Sequence, residues 1–140
     1  MGEVIQGDGW AVANIEDLGD GGPGFRKVRK ELGVTAFGVN GLEFPPHFEA
    51  GRHFHDEQEE LYFVHRGRVE IDFGDGSTQG LGPGGLARVD ASTVRRLRNP
   101  GDEPALLLIT GGKGGYVGRD GRLPDDETSR FGQSGAPGDS

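Results

Sequence analysis

Short apolar runs separated by glycine-rich turns are the feature that most limits how this chain can fold. Of the 28 glycines, 14 lie between Gly33 and Gly112, where they punctuate runs of Val, Ile, Leu and Phe. The regular spacing of such short runs favours an all-β barrel or sandwich. The remaining glycines lie in two polar end segments, which bury little apolar surface. We therefore predict three regions: a lead-in segment over residues 1–24, a β-barrel over 25–112 and a flexible polar tail over 113–140.

Six runs are candidate strands of the barrel. Val69–Phe73 alternates strictly between apolar and polar residues, as a half-buried hairpin strand does, and Gly67 separates it from the preceding run. Turn residues follow each run, which fixes where the strands end. The runs cover residues 34–44, 61–64, 69–73, 86–89, 94–98 and 105–110.

Charge and composition exclude several function classes. With 23 acidic and 15 basic residues the net charge is -8, which disfavours nucleic acid and anionic membranes as partners. No leader-like or membrane-length apolar segment is visible, so we expect a cytoplasmic protein. The absence of cysteine excludes disulfides and thiolate chemistry, and any metal site must use His and carboxylate ligands. We interpret the one basic cluster, over residues 26–30, as a solvated strand edge.

The candidate site residues of this sequence are His53, His55 and Glu60. Two histidines two residues apart share one face of a strand, and a carboxylate that follows completes the ligand set of many iron, zinc, manganese and nickel enzymes. The alternative is a pair of exposed histidines beside a solvated acidic run. We favour the metal interpretation because four residues, Glu60, six residues and Gly67 follow the pair and lead into an apolar strand. Glu59 and Glu57 are the fallback ligands, and Glu60 is preferred because it shares its strand face with Tyr62.

The spacing of these residues resembles the cupin family. His-x-His, four residues, Glu, six residues and Gly form the back half of the first cupin motif, and the resemblance covers about residues 33–110. It implies a single cupin-type double-stranded β-helix, a jelly-roll barrel. The Gly that begins this motif is replaced here by His47.

The second cupin motif is degenerate in this chain. Aligned through Asn99, its positions fall on Gly84, Asp90, Ser92, Arg95 and Asn99, so only the two ends match. The resemblance implies that Arg95 stands where the family has a fourth metal ligand. Three motif ligands remain: His53, His55 and Glu60.

Arg95 limits what such a site could do. It alternates in step with Leu97 and should point inward, where a guanidinium about 5 Å from a divalent cation feels roughly 6 to 7 kcal/mol of repulsion at a dielectric of about 20. In one mechanism, Arg95 clamps an anionic substrate that is bound to the metal. In the other, it forms an ion pair with Glu60 and the metal site is vestigial. Tyr62 shares the face of Glu60 and could hydrogen-bond a ligand, or it could be a core aromatic.

The resulting functional hypothesis is a metal-dependent cupin enzyme acting on a small, anionic organic molecule. The metal is Fe, Mn, Ni or Zn, and a dioxygenase-like oxidoreductase is the first candidate because of the ligand set. The alternative is a non-catalytic small-molecule-binding barrel, a sensor or carrier; a metal-free sugar-modifying cupin is a weaker third. We interpret His47 as a loop residue. The apolar strand face that carries His65 needs a cover, so we predict a homodimer with His65 near its interface.

Overall fold

The computed structural model of the protein describes residues 3–20, 22–118 and 120–124. Within them the only helices are α1 (Val28–Leu32) and one 3₁₀ turn at Ile15–Asp17. The strands in chain order are β1 (Ile5–Gly7), β2 (Trp10–Val12), β3 (Gly24–Arg26), β4 (Gly38–Phe44), β5 (Phe54–His55), β6 (Glu59–Arg66), β7 (Val69–Phe73), β8 (Thr78–Leu81), β9 (Leu86–Val89), β10 (Arg95–Arg98), β11 (Ala105–Gly112) and β12 (Gly121–Arg122). None of the described helices could span a membrane.

Two antiparallel sheets form the barrel. The larger sheet has the order β3-β4-β11-β6-β9, and the smaller has the order β10-β7-β8. A two-stranded ribbon of β5 and β12 extends the smaller sheet, because His53 forms a bridge with Arg95 at the start of β10. The fold is therefore all-β, with the double-stranded β-helix arrangement that the sequence predicted.

The hydrophobic core lies between the two sheets. Alternate residues of each strand point inward, so that Tyr62 and Val64 of β6 meet Ile71 of β7 and Leu97 of β10. Each of these four side chains is almost completely buried. This packing fixes which residues of β6 face the interior, and it places Glu60, two residues before Tyr62, on the inner face at one end of the barrel.

The turn between β6 and β7 requires glycine. Gly67 adopts a φ of 81°, in the left-handed region that favours residues without a Cβ. A Cβ there would also lie 2.6 Å from the Cα of Ala105. The last residue of the first motif therefore allows the hairpin to close against β11.

The lead-in segment packs on the outer face of the larger sheet. Leu18 and Val28 form a second buried cluster there with Val39 of β4. Arg26 is only 2% exposed and pairs with the carboxylate of Glu43, so the prediction of a solvated strand edge over residues 26–30 is wrong at this position. The other basic residues of that cluster begin or lie within α1, which the sequence analysis did not predict.

The end of the barrel differs from the predicted boundary at residue 112. Gly121 and Arg122 pair with β5, and Asp120 contacts residues beside that strand. Residues 120–122 are therefore part of the barrel although the sequence analysis assigned them to the flexible tail. Residues 125–140, the rest of that predicted tail, lie outside the described residues.

Candidate metal centre

Three ligand-type side chains converge inside the barrel. His53 exchanges two backbone hydrogen bonds of 2.9 Å with Arg95, which holds this segment against β10. The imidazoles of His53 and His55 have ring centroids 5.2 Å apart. With Glu60 they offer ligand atoms that all lie within 4.8 Å of one another, and all three residues are buried. The structure thus brings together the three residues that the sequence selected.

Asp120 orients the imidazole of His55. Its Oδ1 lies 2.7 Å from Nδ1 of His55, and its Oδ2 accepts hydrogen bonds from the backbone N–H groups of Glu57 and Gln58. Burial raises the pKa of Asp120, but the hydrogen bonds from Gln58, Glu57 and His55 outweigh it and lower that pKa to about 2. The ionised carboxylate accepts a hydrogen bond from Nδ1 of His55, and this contact turns Nε2 of His55 toward Glu60.

His53 is held in its uncharged form. Burial, followed by the positive charge of Arg95, lowers the pKa of His53 to about 3. Its Nδ1 lies 3.4 Å from the carbonyl oxygen of Gly51. Because metals bind the neutral imidazole, His53 has the protonation state of a ligand at neutral pH.

Glu60 concentrates its contacts on one carboxylate oxygen. Oε1 accepts hydrogen bonds from the Tyr62 hydroxyl at 2.5 Å and from Nη2 of Arg95 at 2.8 Å, and it lies 3.4 Å from Nε2 of His55. Oε2 is buried and has no hydrogen-bond partner among the described residues. Burial raises the pKa of Glu60, but the contact with His55, the charge of Arg95 and the hydrogen bond from Tyr62 together bring that pKa below its usual value, so the group is a carboxylate.

Tyr62 keeps its proton in this environment. Burial and the adjacent Glu60 carboxylate raise the pKa of Tyr62 well above its ordinary value. Its hydroxyl donates to Glu60 and accepts a hydrogen bond of 3.1 Å from Nε of Arg95. Tyr62 is therefore a core aromatic whose hydroxyl contacts Glu60 and Arg95, and a hydrogen bond from it to a ligand stays a prediction.

Arg95 points inward and is completely buried. Nη2 and Nε contact Glu60 and Tyr62, and the pKa of Arg95 is raised because these partners outweigh the opposing effect of burial. Nη1 donates to three backbone carbonyls, those of Asp90, Ala91 and Thr93, at 3.3, 3.2 and 2.7 Å. The ion pair between Arg95 and Glu60, one of the two arrangements left open by the sequence, is therefore present.

The donor set fits a divalent transition metal. Two imidazoles and one carboxylate bind iron, zinc, manganese and nickel in many proteins. Donors bound to one ion at about 2.1 Å in tetrahedral or octahedral geometry lie about 3.0 to 3.4 Å apart. The ligand atoms here lie within 4.8 Å of one another, so they would draw together when an ion binds. Nε2 of His55 and Oε2 of Glu60 are buried without hydrogen-bond partners among the described residues, and a cation between them would satisfy both.

The two remaining histidines lie outside this cluster. His47 is exposed in a turn with a φ of 61°, and its Nε2 lies 2.7 Å from Oδ1 of Asp102. His65 is on the outer face of β6, with Nε2 3.4 Å from the carboxylate of Glu16. Their positions agree with the interpretation of one as a loop residue and of the other as an outward residue.

The fallback carboxylates also lie outside the cluster. Glu57 and Glu59 are exposed, and Glu59 accepts a hydrogen bond of 3.0 Å from Arg88 across the outer face. The alternation of inward and outward side chains along β6 therefore distinguishes Glu60 from Glu59 correctly. Glu60 is the inward one.

Sequence analysis missed two residues that contact the site. Gln58 is completely buried and donates a hydrogen bond of 2.5 Å from Nε2 to Asp120. A Cβ on Gly111 would collide with the Gln58 amide, so this glycine makes room for it. Asp120 lies among glycines and polar residues 60 positions beyond Glu60, and nothing in that segment distinguishes it as a partner of His55.

The fold and the buried cluster together define a double-stranded β-helix with a candidate metal centre. A family model described as the cupin domain matches residues 42–111, which is half of the chain. The protein therefore belongs to the cupin family. A search of curated proteins found no match.

Solved structures with the same fold include enzymes. A sugar phosphate isomerase of the cupin superfamily from Silicibacter pomeroyi is 24% identical, with a TM-score of 0.59, over 81% of this chain and 69% of that chain. A DMSP lyase structure is 26% identical, with a TM-score of 0.53, over 62% of this chain and 43% of the other. Oxalate oxidase in complex with the substrate analogue glycolate is 14% identical, with a TM-score of 0.52, over 56% of this chain and 43% of the other. These likenesses support the fold assignment.

Proposed function

We propose that this cupin is a metal-dependent enzyme that acts on a small, anionic organic molecule. His53, His55 and Glu60 hold a divalent ion, which is Fe, Mn, Ni or Zn. Three protein ligands leave coordination positions open for a substrate. When bound, the ion would supply Lewis-acid or oxygen chemistry, and a dioxygenase-like oxidoreductase is the first candidate because this ligand set is that of non-haem iron oxygenases.

This proposal rests on the different contacts that the two carboxylate oxygens of Glu60 make. Oε1 takes the hydrogen bonds from Arg95 and Tyr62, whereas Oε2 is buried with no hydrogen-bond partner among the described residues. The ion pair with Arg95 and ligation of a metal therefore use different oxygens. Glu60 could therefore keep its ion pair with Arg95 while its other oxygen holds a metal.

The charges around the cluster support an anionic substrate. A divalent ion and Arg95 would together bring three positive charges, and the ionised Glu60 and Asp120 would offset two of them. An anion bound at an open coordination position would neutralise the one remaining positive charge. The attraction between these charges is stronger inside a barrel than in water. A carboxylate or enolate of a small organic acid has this charge and size.

Arg95 and Tyr62 position Glu60 in this proposal. The predicted clamp on a substrate would need a free guanidinium edge, but Nε and Nη1 of Arg95 already bond to Tyr62 and to backbone carbonyls. Both side chains therefore fix the carboxylate and keep its Oε1 occupied. Direct contact of either residue with a substrate stays a prediction.

The competing function is a non-catalytic barrel that binds a small molecule. The observation in its favour is the buried ion pair between Arg95 and Glu60, which neutralises the carboxylate without any metal. In that case the two histidines are remnants of a metal site, and the protein serves as a sensor or carrier.

Metal content separates the two functions. Protein purified without chelators is expected to contain close to one Fe, Mn, Ni or Zn ion per chain by elemental analysis, and a His53→Ala, His55→Ala double variant is expected to lose it. The matched control is His47→Ala, His65→Ala, which removes the same number of imidazoles outside the cluster. A wild-type protein that is metal-free and unaffected by added metal would support the binding barrel instead.

A substrate screen tests the reaction class. The iron-loaded protein is expected to consume oxygen in the presence of one or more short organic acids, as followed with an oxygen electrode. Uncharged analogues of the same acids, such as their amides, serve as controls for the anionic substrate. Metal-dependent turnover without oxygen consumption would keep the enzyme and replace the dioxygenase with a lyase or isomerase.

A further inference from the structure

Asp120 joins β12 to both ligand-bearing segments of the site. Its Oδ1 contacts Nδ1 of His55 at 2.7 Å and accepts a hydrogen bond of 2.5 Å from Nε2 of Gln58. Its Oδ2 accepts hydrogen bonds of 2.8 and 2.9 Å from the N–H groups of Glu57 and Gln58. One carboxylate thus fixes the His55 ring and the loop that leads to Glu60.

The contact decides which nitrogen of His55 faces the interior. Three of the four groups around the Asp120 carboxylate are N–H donors, and a carboxylate has no proton of its own to give. His55 therefore donates through Nδ1 and turns Nε2 toward the cluster, where a neutral ring would offer its lone pair to a metal. Without Asp120, the ring could turn or adopt the other tautomer, and Nε2 would carry a proton where a metal should bind.

Backbone pairing and a second ion pair hold Asp120 in place. The N–H of Asp56 donates to the carbonyl oxygen of Asp120 at 3.1 Å, and Gly121 stands opposite His55 in the β5–β12 ribbon. Nε of Arg122 lies 2.6 Å from the carboxylate of Asp56 on the exposed side of the ribbon. The pairing of β12 with β5 therefore also places Asp120 where it orients the His55 ring.

We propose that Asp120 is a positioning residue of the metal centre and that docking of β12 is coupled to metal binding. The inference rests on the proposed metal site at His53, His55 and Glu60. Because coupling between two equilibria is reciprocal, a docked β12 strengthens metal binding and a bound metal stabilises the docked strand. Residues beyond the boundary that the sequence predicted for the barrel are therefore part of its metal site.

Asp120→Asn is the sharpest substitution for the test. The amide keeps the size of the carboxylate but has only one acceptor oxygen. If that oxygen faces His55, the NH₂ group opposes the N–H groups of Glu57 and Gln58; if it faces those groups, the NH₂ opposes His55. Either way one contact is lost, and outer-sphere partners of this kind change metal affinity by about 10- to 100-fold.

Metal affinity and imidazole tautomer are the two readouts. The Kd for Zn²⁺ or Mn²⁺, from competition with a chelating dye, is expected to rise about 10- to 100-fold in Asp120→Asn. Asp102→Asn is the matched control, since that carboxylate contacts only the exposed His47 among the described residues. Nitrogen-15 spectra of the metal-free protein are expected to show the Nδ1–H tautomer of His55 in the wild type and a mixture in Asp120→Asn.

A third readout uses the wild-type protein and so does not depend on how the variant folds. Bound metal is expected to slow hydrogen exchange of the Glu57 and Gln58 amides, which donate to Asp120. Arg122→Ala, which loosens β12 without touching the ligands, is expected to weaken metal binding by a smaller factor.

The outcomes separate this inference from the proposed function. A wild-type protein that binds metal, with Asp120→Asn binding equally well or with unchanged exchange at residues 57 and 58, would overturn the coupling alone. A wild-type protein that binds no metal would overturn the proposed function, and the His55 tautomer would then decide whether Asp120 still positions the ring. An unchanged tautomer in Asp120→Asn would overturn the positioning role in either case.

Discussion

Arg95 and Glu60 form a buried pair whose energetic role differs from that of the surface ion pairs. Both side chains are fully removed from solvent, and Arg95 also satisfies three backbone carbonyls near the end of β9. A buried pair contributes little compared with a well-packed apolar pair, but removing one member leaves an uncompensated charge. Arg95 is therefore needed for stability whatever the site binds.

Arg95→Met tests this argument. The metal-free variant is expected to lose about 3–5 kcal/mol of unfolding free energy in urea denaturation, because Glu60 keeps its charge without its main cationic partner. Arg96→Met is the control, since Arg96 lies one residue further on and pairs with Asp72 at the surface, where the cost should be about 1 kcal/mol or less. Equal costs for the two variants would contradict the buried-charge account.

At this scale the sequence predicted the ligands better than their surroundings. The His-x-His spacing and the parity of Glu60 relative to Tyr62 follow from strand geometry, so a short window of sequence was enough. Asp120 depends on a contact across 65 residues with His55, and such long-range pairing leaves no local signal. Whether Arg95 contacts a substrate or pairs with Glu60 also depends on side-chain packing, and the sequence alone does not reveal that packing.

Among the elements, the strands with alternating apolar residues were the predictable ones. Val69–Phe73 was predicted with the bounds that the structure has, because its alternation and its flanking turns agree. β8 (Thr78–Leu81) was missed, since its residues are mostly exposed and it is held by pairing with β7. The helix α1 was missed because it is short and its basic residues obscure its apolar side.

The outer face of the smaller sheet carries a charge cluster centred on Asp72 of β7. Its carboxylate accepts hydrogen bonds from Arg98 and Arg96 of β10 and from Thr78 of β8. These partners hold the pKa of Asp72 well below its usual range, with Arg98 contributing most. The cluster therefore ties all three strands of this sheet together on the side away from the core.

Asp72 gives the protein a defined acid sensitivity. Because its pKa is lower in the folded than in the unfolded state, its stabilising effect is complete above about pH 4 and fades as the pH falls further. The stability difference between wild type and Asp72→Asn is expected to be largest at neutral pH and to shrink toward pH 2, as measured by urea unfolding. Asp8→Asn, in the exposed turn between β1 and β2, is the control. A difference independent of pH would argue against ionisation as the cause.

The lead-in segment is attached to the barrel through Arg26. Nη1 of this buried side chain donates to the carbonyls of Ile15 and Glu16 at 3.2 and 3.3 Å, while Nη2 pairs with Glu43. Arg26→Met is expected to release the segment and speed chymotrypsin cleavage near Trp10 several-fold, as followed by mass spectrometry. Arg88→Met, an exposed arginine at the barrel surface, should leave cleavage unchanged. Equal cleavage rates in Arg26→Met and wild type would show that apolar packing alone holds the segment.

For the whole molecule, we propose that part of the outer face of the larger sheet is the interface of a homodimer. Glu16 of the lead-in segment contacts His65. Leu61 of β6 and Leu86 of the edge strand β9 remain 42% and 59% exposed. Apolar side chains at an unpaired strand edge favour association with a second copy. This keeps the sequence-based expectation and moves the predicted interface from His65 toward β9.

The oligomeric state in solution tests that interface. Light scattering is expected to give twice the mass of the 14.9 kDa chain for the wild type and the single-chain mass for a Leu61→Glu, Leu86→Glu variant. Ile5→Glu, which changes a similarly exposed apolar residue on the β1–β2 hairpin, is the control and should stay dimeric. A wild-type protein that is monomeric at every concentration would remove the proposal.

The complete burial of His53, His55 and Glu60 also has a kinetic consequence. A metal held by side chains that are at most 1% exposed would exchange slowly, because the end of the barrel would have to open both for a substrate to enter and for the ion to leave. Selection among competing metals would then occur mainly while the chain folds. The ion found in the mature protein would then reflect the metals available when the chain was synthesised. Later changes in the metal content of the medium would replace it only slowly.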